Sequence, residues 1–129
     1  MAGTLVANTI NTDTGLFSTN NAYLGIAKAW LCYNGGTAIR NSFNVSSVTV
    51  NGTGDYTINF TSAMSSANYA LVGTCSAFST GAAAATVVEL YDASGGGTDP
   101  TTTTARIYVH RSAVGAVTVP YVNIAVLGA

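Results

Sequence analysis

The sequence predicts an all-β protein, an antiparallel β-sandwich of jelly-roll-like type, and three observations carry that prediction. Short runs of alternating apolar and polar side chains recur along the 129 residues. Glycine, asparagine and aspartate cluster between those runs, where the chain must reverse. Only one segment has a composition that competes as helix.

Residues 51–60, NGTGDYTINF, show the pattern most clearly. Asn51-Gly52 and Gly54-Asp55 tolerate positive φ and allow a tight reversal. Beyond them Tyr56, Ile58 and Phe60 point one way while Thr57 and Asn59 point the other, as in a strand with one buried face. Read in order, the strand segments are 4–10 (TLVANTI), 25–33 (GIAKAWLCY), 37–43 (TAIRNSF), 46–50 (SSVTV) and 55–61 (DYTINFT). They continue with 69–78 (YALVGTCSAF), 84–91 (AATVVELY), 105–111 (ARIYVHR) and 117–126 (VTVPYVNIAV). Strands spaced this closely, with turn residues between them, make a sandwich or a barrel. The helical competitor is AAAATVVEL at 82–90, where alanine favours helix but Thr86, Val87 and Val88 lose rotamer freedom in one, so strand is expected. Residues 92–104, DASGGGTDPTTTT, are too rich in Gly, Thr and Pro for regular structure and are expected to form an exposed loop.

Composition narrows function. Charged residues make up 7% of the chain and the formal net charge is −1, so there is no basic footprint for nucleic acid or an anionic membrane. Apolar residues reach 48%, yet no run approaches the roughly 18 to 20 consecutive residues of a membrane-spanning helix. The start, MAGTLVANTI, has neither a basic n-region nor a continuous apolar h-region, so synthesis and folding in a cytoplasm are expected.

No motif for catalysis emerges. His110 should share a strand face with Arg106 and Tyr108, without a nucleophile and an orienting acid at local spacing. No serine sits in a GxSxG elbow. Glu89, Asp92 and Asp99 bracket the glycine loop but lack the ligand periodicity of an EF-hand, so an ordinary solvated turn is expected, with no metal and no cofactor. Asn44, Asn51 and Asn59 each begin an N-glycosylation triplet, which a chain rich in Asn, Ser and Thr produces by chance. Cys32 and Cys75 read as buried reduced thiols, with a cross-strand disulfide as the alternative. The aromatics fall mostly on strand patterns, and a sugar-binding groove would need one or two of them presented on loops beside amides and acids.

Gly25 to Gly128 resemble a domain common at the C-terminal ends of tail-fibre and similar virion proteins of tailed bacteriophages. The resemblance is carried by Ala29-Trp30, Ile39-Arg40, the stretch 42–45, the stretch 51–60 and Asn68-Tyr69, with Cys32 standing where a polar residue is usual. It implies a small β-rich virion module, a homotrimer, with no catalytic motif to transfer. Low charge, many small side chains and a polar N-terminal stretch support an oligomer independently. The expected organisation is an attachment and trimerisation segment over 1–24, including Thr4, Leu5, Val6, Ile10, Leu16 and Phe17, followed by a fibre-head-like domain over 25–129. Host-surface attachment is the expected function, and the partners are further copies, other virion proteins and a host glycan or protein. The contact loops are 34–36, 51–54, 79–82 and 94–103, represented by Asn34, Gly36, Asn51, Gly54, Ser79, Ser94, Asp99 and Thr103. A capsid spike or decoration protein held through its N-terminal segment is the alternative, and a polysaccharide-degrading enzyme is the minor one.

Overall fold

A computed structural model describes residues 25–36, 38–76, 86–112 and 114–128. The expected strand at 4–10, the attachment segment 1–24 and the loop 79–82 with Ser79 lie outside the described residues. The described strands are β1 (Ala27–Tyr33), β2 (Ile39–Phe43), β3 (Val45–Gly52), β4 (Asp55–Phe60), β5 (Ala70–Cys75), β6 (Thr86–Leu90), β7 (Thr104–Arg111), β8 (Gly115–Ala116) and β9 (Val122–Leu127). They form two antiparallel sheets, one ordered β2-β1-β9-β5 and the other β3-β4-β7-β6, with the short β8 beside β7. The connections β1–β2, β3–β4 and β6–β7 are hairpins within one sheet. The connections β2–β3, β4–β5, β5–β6 and β8–β9 pass from one sheet to the other.

The period-two pattern decides which face of each strand is dry. Ala29, Leu31 and Tyr33 of β1 and Val122, Ile124 and Val126 of β9 are buried on the first sheet. Tyr56, Ile58 and Phe60 of β4 and Ala105, Ile107 and Val109 of β7 meet them from the second, in one apolar cluster. Burying each such aliphatic or aromatic side chain contributes about 1.5–3 kcal/mol. No polar or charged residue is buried among the described ones.

Aromatic pairs join the sheets near both ends. Tyr33 and Tyr56 meet edge to face with centroids 5.3 Å apart, and the Tyr56 hydroxyl donates to the Gly35 carbonyl. Gly35 lies at φ 49°, and a Cβ there would stand 1.8 Å from the Val119 carbonyl oxygen, so this turn accepts only glycine. Toward the other end Phe60 and Tyr69 make a second edge-to-face pair at 5.9 Å. The Tyr69 hydroxyl donates to the carbonyls of Thr104 at 2.9 Å and Thr101 at 3.1 Å.

Asn44 is the single residue between β2 in one sheet and β3 in the other, in the left-handed region at φ 54°. Its Nδ2 donates to the carbonyls of Lys28 at 3.0 Å and Ser62 at 3.2 Å, and its Oδ1 accepts from the Ser62 amide at 2.7 Å. Asparagine tolerates this backbone and supplies the local bonds that fix it. The side chain is therefore committed to the corner.

Three expectations are corrected. The segment 117–126 is not one strand: Val117 and Val119 are both buried while Thr118 is exposed, Pro120 has no amide to donate, and β9 begins only at Val122. The segment 92–104 is not wholly irregular, because Ala93–Gly95 forms a 3-10 turn and Thr104 already belongs to β7. Cys32 and Cys75 are free and half-buried instead of fully buried. They stand on strands separated by β9, at registers of opposite facing, which excludes a bond between them. The ambiguous segment at 82–90 is strand where described, as β6.

Burial pushes the Tyr69 phenol up to about 12. The Tyr33 phenol is raised by burial and, secondarily, by the charge of Tyr56. A folded value above the unfolded one means stability that is complete below about pH 10 and is lost as pH rises through the folded value. Alkaline titration followed at the phenolate absorption band should therefore show a late step near 12 in the folded protein. The Tyr69→Phe variant should lack that step and keep more of its stability between about pH 10 and 12.

Candidate functional site

The residues that face outward from the two sheets differ in chemistry. On the first sheet the register brings Phe43, Trp30, Ala125 and Val72 into one row across all four strands. Phe43 is 55% exposed and Val72 54%. The next outward row, Asn41, Cys32, Asn123 and Thr74, is polar and uncharged. This apolar row lies on the outer side of a sheet whose inner side is already filled by the core.

On the second sheet the outward face is a web of amides, hydroxyls and rings. Asn59 Nδ2 donates to Ser47 Oγ at 3.0 Å and Thr49 Oγ1 at 3.1 Å. Asn51 Nδ2 donates to Thr57 Oγ1 at 2.9 Å and Asp55 Oδ1 at 3.1 Å. Arg106 then binds Asp55 in a two-pronged pair, Nε to Oδ1 at 2.8 Å and the terminal nitrogen to Oδ2 at 2.6 Å. That fork matches a carboxylate geometrically and holds the Asp55 carboxyl below the usual carboxylate range, with the Asn51 bond assisting.

Beyond Arg106 the face becomes aromatic. Its guanidinium carbon lies 5.0 Å from the Tyr91 ring centroid, Tyr91 stacks on Tyr108 at 4.9 Å, and Tyr108 stacks on His110 at 5.7 Å. Alternation along β7 puts Arg106, Tyr108 and His110 on one face, as expected, with Ala105, Ile107 and Val109 buried beneath. His110 Nε2 is shielded from solvent and 3.3 Å from Glu89 Oε1, off the direction of a hydrogen bond.

The 3-10 turn folds over the edge of this face. Asp92 caps it, its Oδ1 accepting from Ser94 Oγ at 2.6 Å and the Gly95 amide at 3.1 Å, which also lowers its carboxyl below the ordinary range. Asp99 Oδ1 accepts from the Ala93 amide at 3.0 Å. Both carboxylates therefore brace the turn. Between turn and sheet lies an open groove of about 540 Å³, with Glu89, Tyr91, Asp92, Ser94 and Tyr108 in its walls.

The sequence-derived contact residues do not gather at one place. Half-buried Asn34 and exposed Gly36 belong to the β1–β2 turn. Gly54, at φ 69° in the β3–β4 turn, is buried, and a Cβ there would lie 2.3 Å from the Val109 carbonyl oxygen, so its place is structural. Both turns abut the 117–119 stretch at one end of the sheets. Thr103 lies at the other end, where its carbonyl accepts from the Phe60 amide at 2.9 Å. Asn51, by contrast, is linked through Asp55 and Arg106 to Thr98, inside the loop that holds Ser94 and Asp99. Glu89, Tyr91 and Tyr108 complete the groove and were not singled out as contact residues. Alternation in TARIYVHR signals the face of Tyr108, but the register Glu89↔Tyr108 is set by tertiary pairing.

No family model matches the chain, and no curated protein or solved structure matches it either.

Because Asp55 titrates low when folded, its ion pair adds stability that is present above the ordinary carboxylate value and is lost as pH falls through the folded one. Asp55→Asn should cost about 1–2 kcal/mol at pH 7, where a charge-assisted pair that is only partly exposed is broken. Urea denaturation at several pH values should show the gap between wild type and variant closing below about pH 4.

Proposed function

We propose that this chain is a structural protein of a tailed-bacteriophage virion, a short trimeric fibre-like module for attachment to the host surface. The observation that carries the reading is the division of labour between the two outward faces. The sheet β2-β1-β9-β5 presents the apolar row of Phe43, Trp30, Ala125 and Val72, suited to contact with further copies. The sheet β3-β4-β7-β6 presents amides, hydroxyls, one internal ion pair and a groove beside an exposed turn, suited to recognition. Two sheets closed on one core make the β-sandwich head of this reading. Three such heads held together raise the apparent affinity of a weak site without new contacts.

The trimer is tested by sedimentation. The wild-type protein should sediment at three times its chain mass of 13.0 kDa. Val72→Glu, a change at an exposed position that leaves the core intact, should give monomers that keep the β-sheet circular dichroism of the wild type. A wild-type monomer would remove the trimer.

The virion address is tested by immunogold microscopy of intact particles with an antibody against residues 92–104, which include the exposed turn. Gold at the tail is expected. Gold over the head would instead make the protein a capsid decoration protein, and unlabelled particles would overturn the virion reading.

A further inference from the structure

We propose that the groove between the 3-10 turn and strands β6 and β7 binds a neutral saccharide of the pyranose type. The inference rests on the attachment reading and names the ligand class for it. Across β3 and β4 the polar groups of this face satisfy one another: Asn59 is taken up by Ser47 and Thr49, Asn51 by Thr57 and Asp55, and Arg106 by Asp55. At the groove Asp92 and Ser94 satisfy each other in the turn, but the sheet side of the walls is less fully paired. Glu89, whose side chain is 51% exposed, has only the His110 Nε2 beside it at 3.3 Å, and the stacked Tyr91 and Tyr108 bring their phenols to the same walls. One face therefore gathers its less fully paired groups in one concave place.

The shape and chemistry of that place suit a sugar. A volume of about 540 Å³ falls within the roughly 300–1,000 Å³ of small-molecule sites. The stacked tyrosines, 4.9 Å apart and backed by His110 and Arg106, are held rigid, so they offer amphipathic ring edges and hydroxyls with little ordering cost on binding. Glu89 accepts hydrogen bonds from ligand hydroxyls, the two phenols serve as donors or acceptors, and Ser94 Oγ, its proton directed to Asp92, serves as an acceptor. Glu89 and Asp92 in the walls repel an anionic sugar, and Arg106, the nearby cation, is already committed to Asp55.

The test uses the full-length protein, with saturation-transfer NMR and calorimetry against neutral trisaccharides of glucose, galactose and N-acetylglucosamine, and against sialyllactose as an acidic counterpart. At least one neutral trisaccharide should bind, at a dissociation constant on the order of 1 mM per site, and sialyllactose should bind more weakly or not at all. Tyr108→Ala and Glu89→Gln should each weaken binding about five- to tenfold, the scale of one lost hydrogen bond or contact. Ser94→Trp, an exposed change that fills the groove, should abolish binding even if Tyr108→Ala fails to fold. Asn59→Ala, on the same face but outside the groove, should leave it unchanged. The proposal is overturned if no neutral trisaccharide binds, if sialyllactose binds as tightly, or if Asn59→Ala weakens binding as much as Ser94→Trp. Host-cell adsorption separates the two readings. A wild-type protein that adsorbs equally well as Ser94→Trp and binds no trisaccharide removes the saccharide site and leaves attachment standing. One that binds a trisaccharide in the groove but is absent from particles removes attachment and leaves the site.

Discussion

The edge-to-face contact of Tyr33 on Tyr56, anchored by the Tyr56 hydroxyl on the Gly35 carbonyl, is the interaction on which the rest of the molecule depends. Tyr33 belongs to one sheet and Tyr56 to the other, so the contact fixes how the sheets face each other at that end. It requires Gly35, because Val119 occupies the space a side chain would need. Val119, in turn, is itself buried in the core. Phe60 and Tyr69 hold the opposite end in the same manner, with the phenol bonded to the start of β7 and the loop before it. Between the two clamps the core is aliphatic, and every buried side chain among the described residues is apolar. Such a core has dispersion and exclusion of water to hold it but no directional bonds of its own. The two tyrosine hydroxyls supply the direction.

What could be read from the sequence follows from the range over which each feature is determined. Alternation at Tyr56, Ile58 and Phe60 reports a strand with one dry face because side-chain direction is local. The turn around Gly54 was legible for the same reason, although its burial was not, since the Val109 carbonyl that closes over it lies 55 positions away in sequence. The run at 117–126 misled because Val117 and Val119 satisfy a strand pattern whether or not their amides enter a ladder, and only Pro120 warned of the break. The loop 92–104 was read by composition, which sees glycine and threonine but not that Asp92 would cap a turn. Glu89, Tyr91 and Tyr108 were each visible as residue types, and Tyr108 even as a face. Their convergence depended on β6 pairing with β7 in one particular register, and no local pattern encodes register across a loop that long.

The low charge of the chain acquires a structural meaning on the second sheet. Asn51, Asn59, Thr57 and Ser47 make a surface that is hydrophilic yet largely self-bonded. A side-chain amide or hydroxyl bonded to its neighbour stays where it is put, whereas lysine and glutamate on the same strands would sample many rotamers. The two sheets thus differ in the kind of contact they offer. One exposes rings and methyl groups that gain from being covered, and the other a fixed lattice of donors and acceptors interrupted by a groove.

The corner at Asn44 bears on how the domain responds to force. One residue joins Phe43 to Val45, so a pull along β2 reaches β3 with no slack between the sheets. Asn44 is also tied to Lys28 on β1 and to Ser62 beyond β4, which spreads that load over four strands at once. A longer connection would let one sheet slide over the other before the second was engaged. Here a displacement of β2 is passed directly to β3.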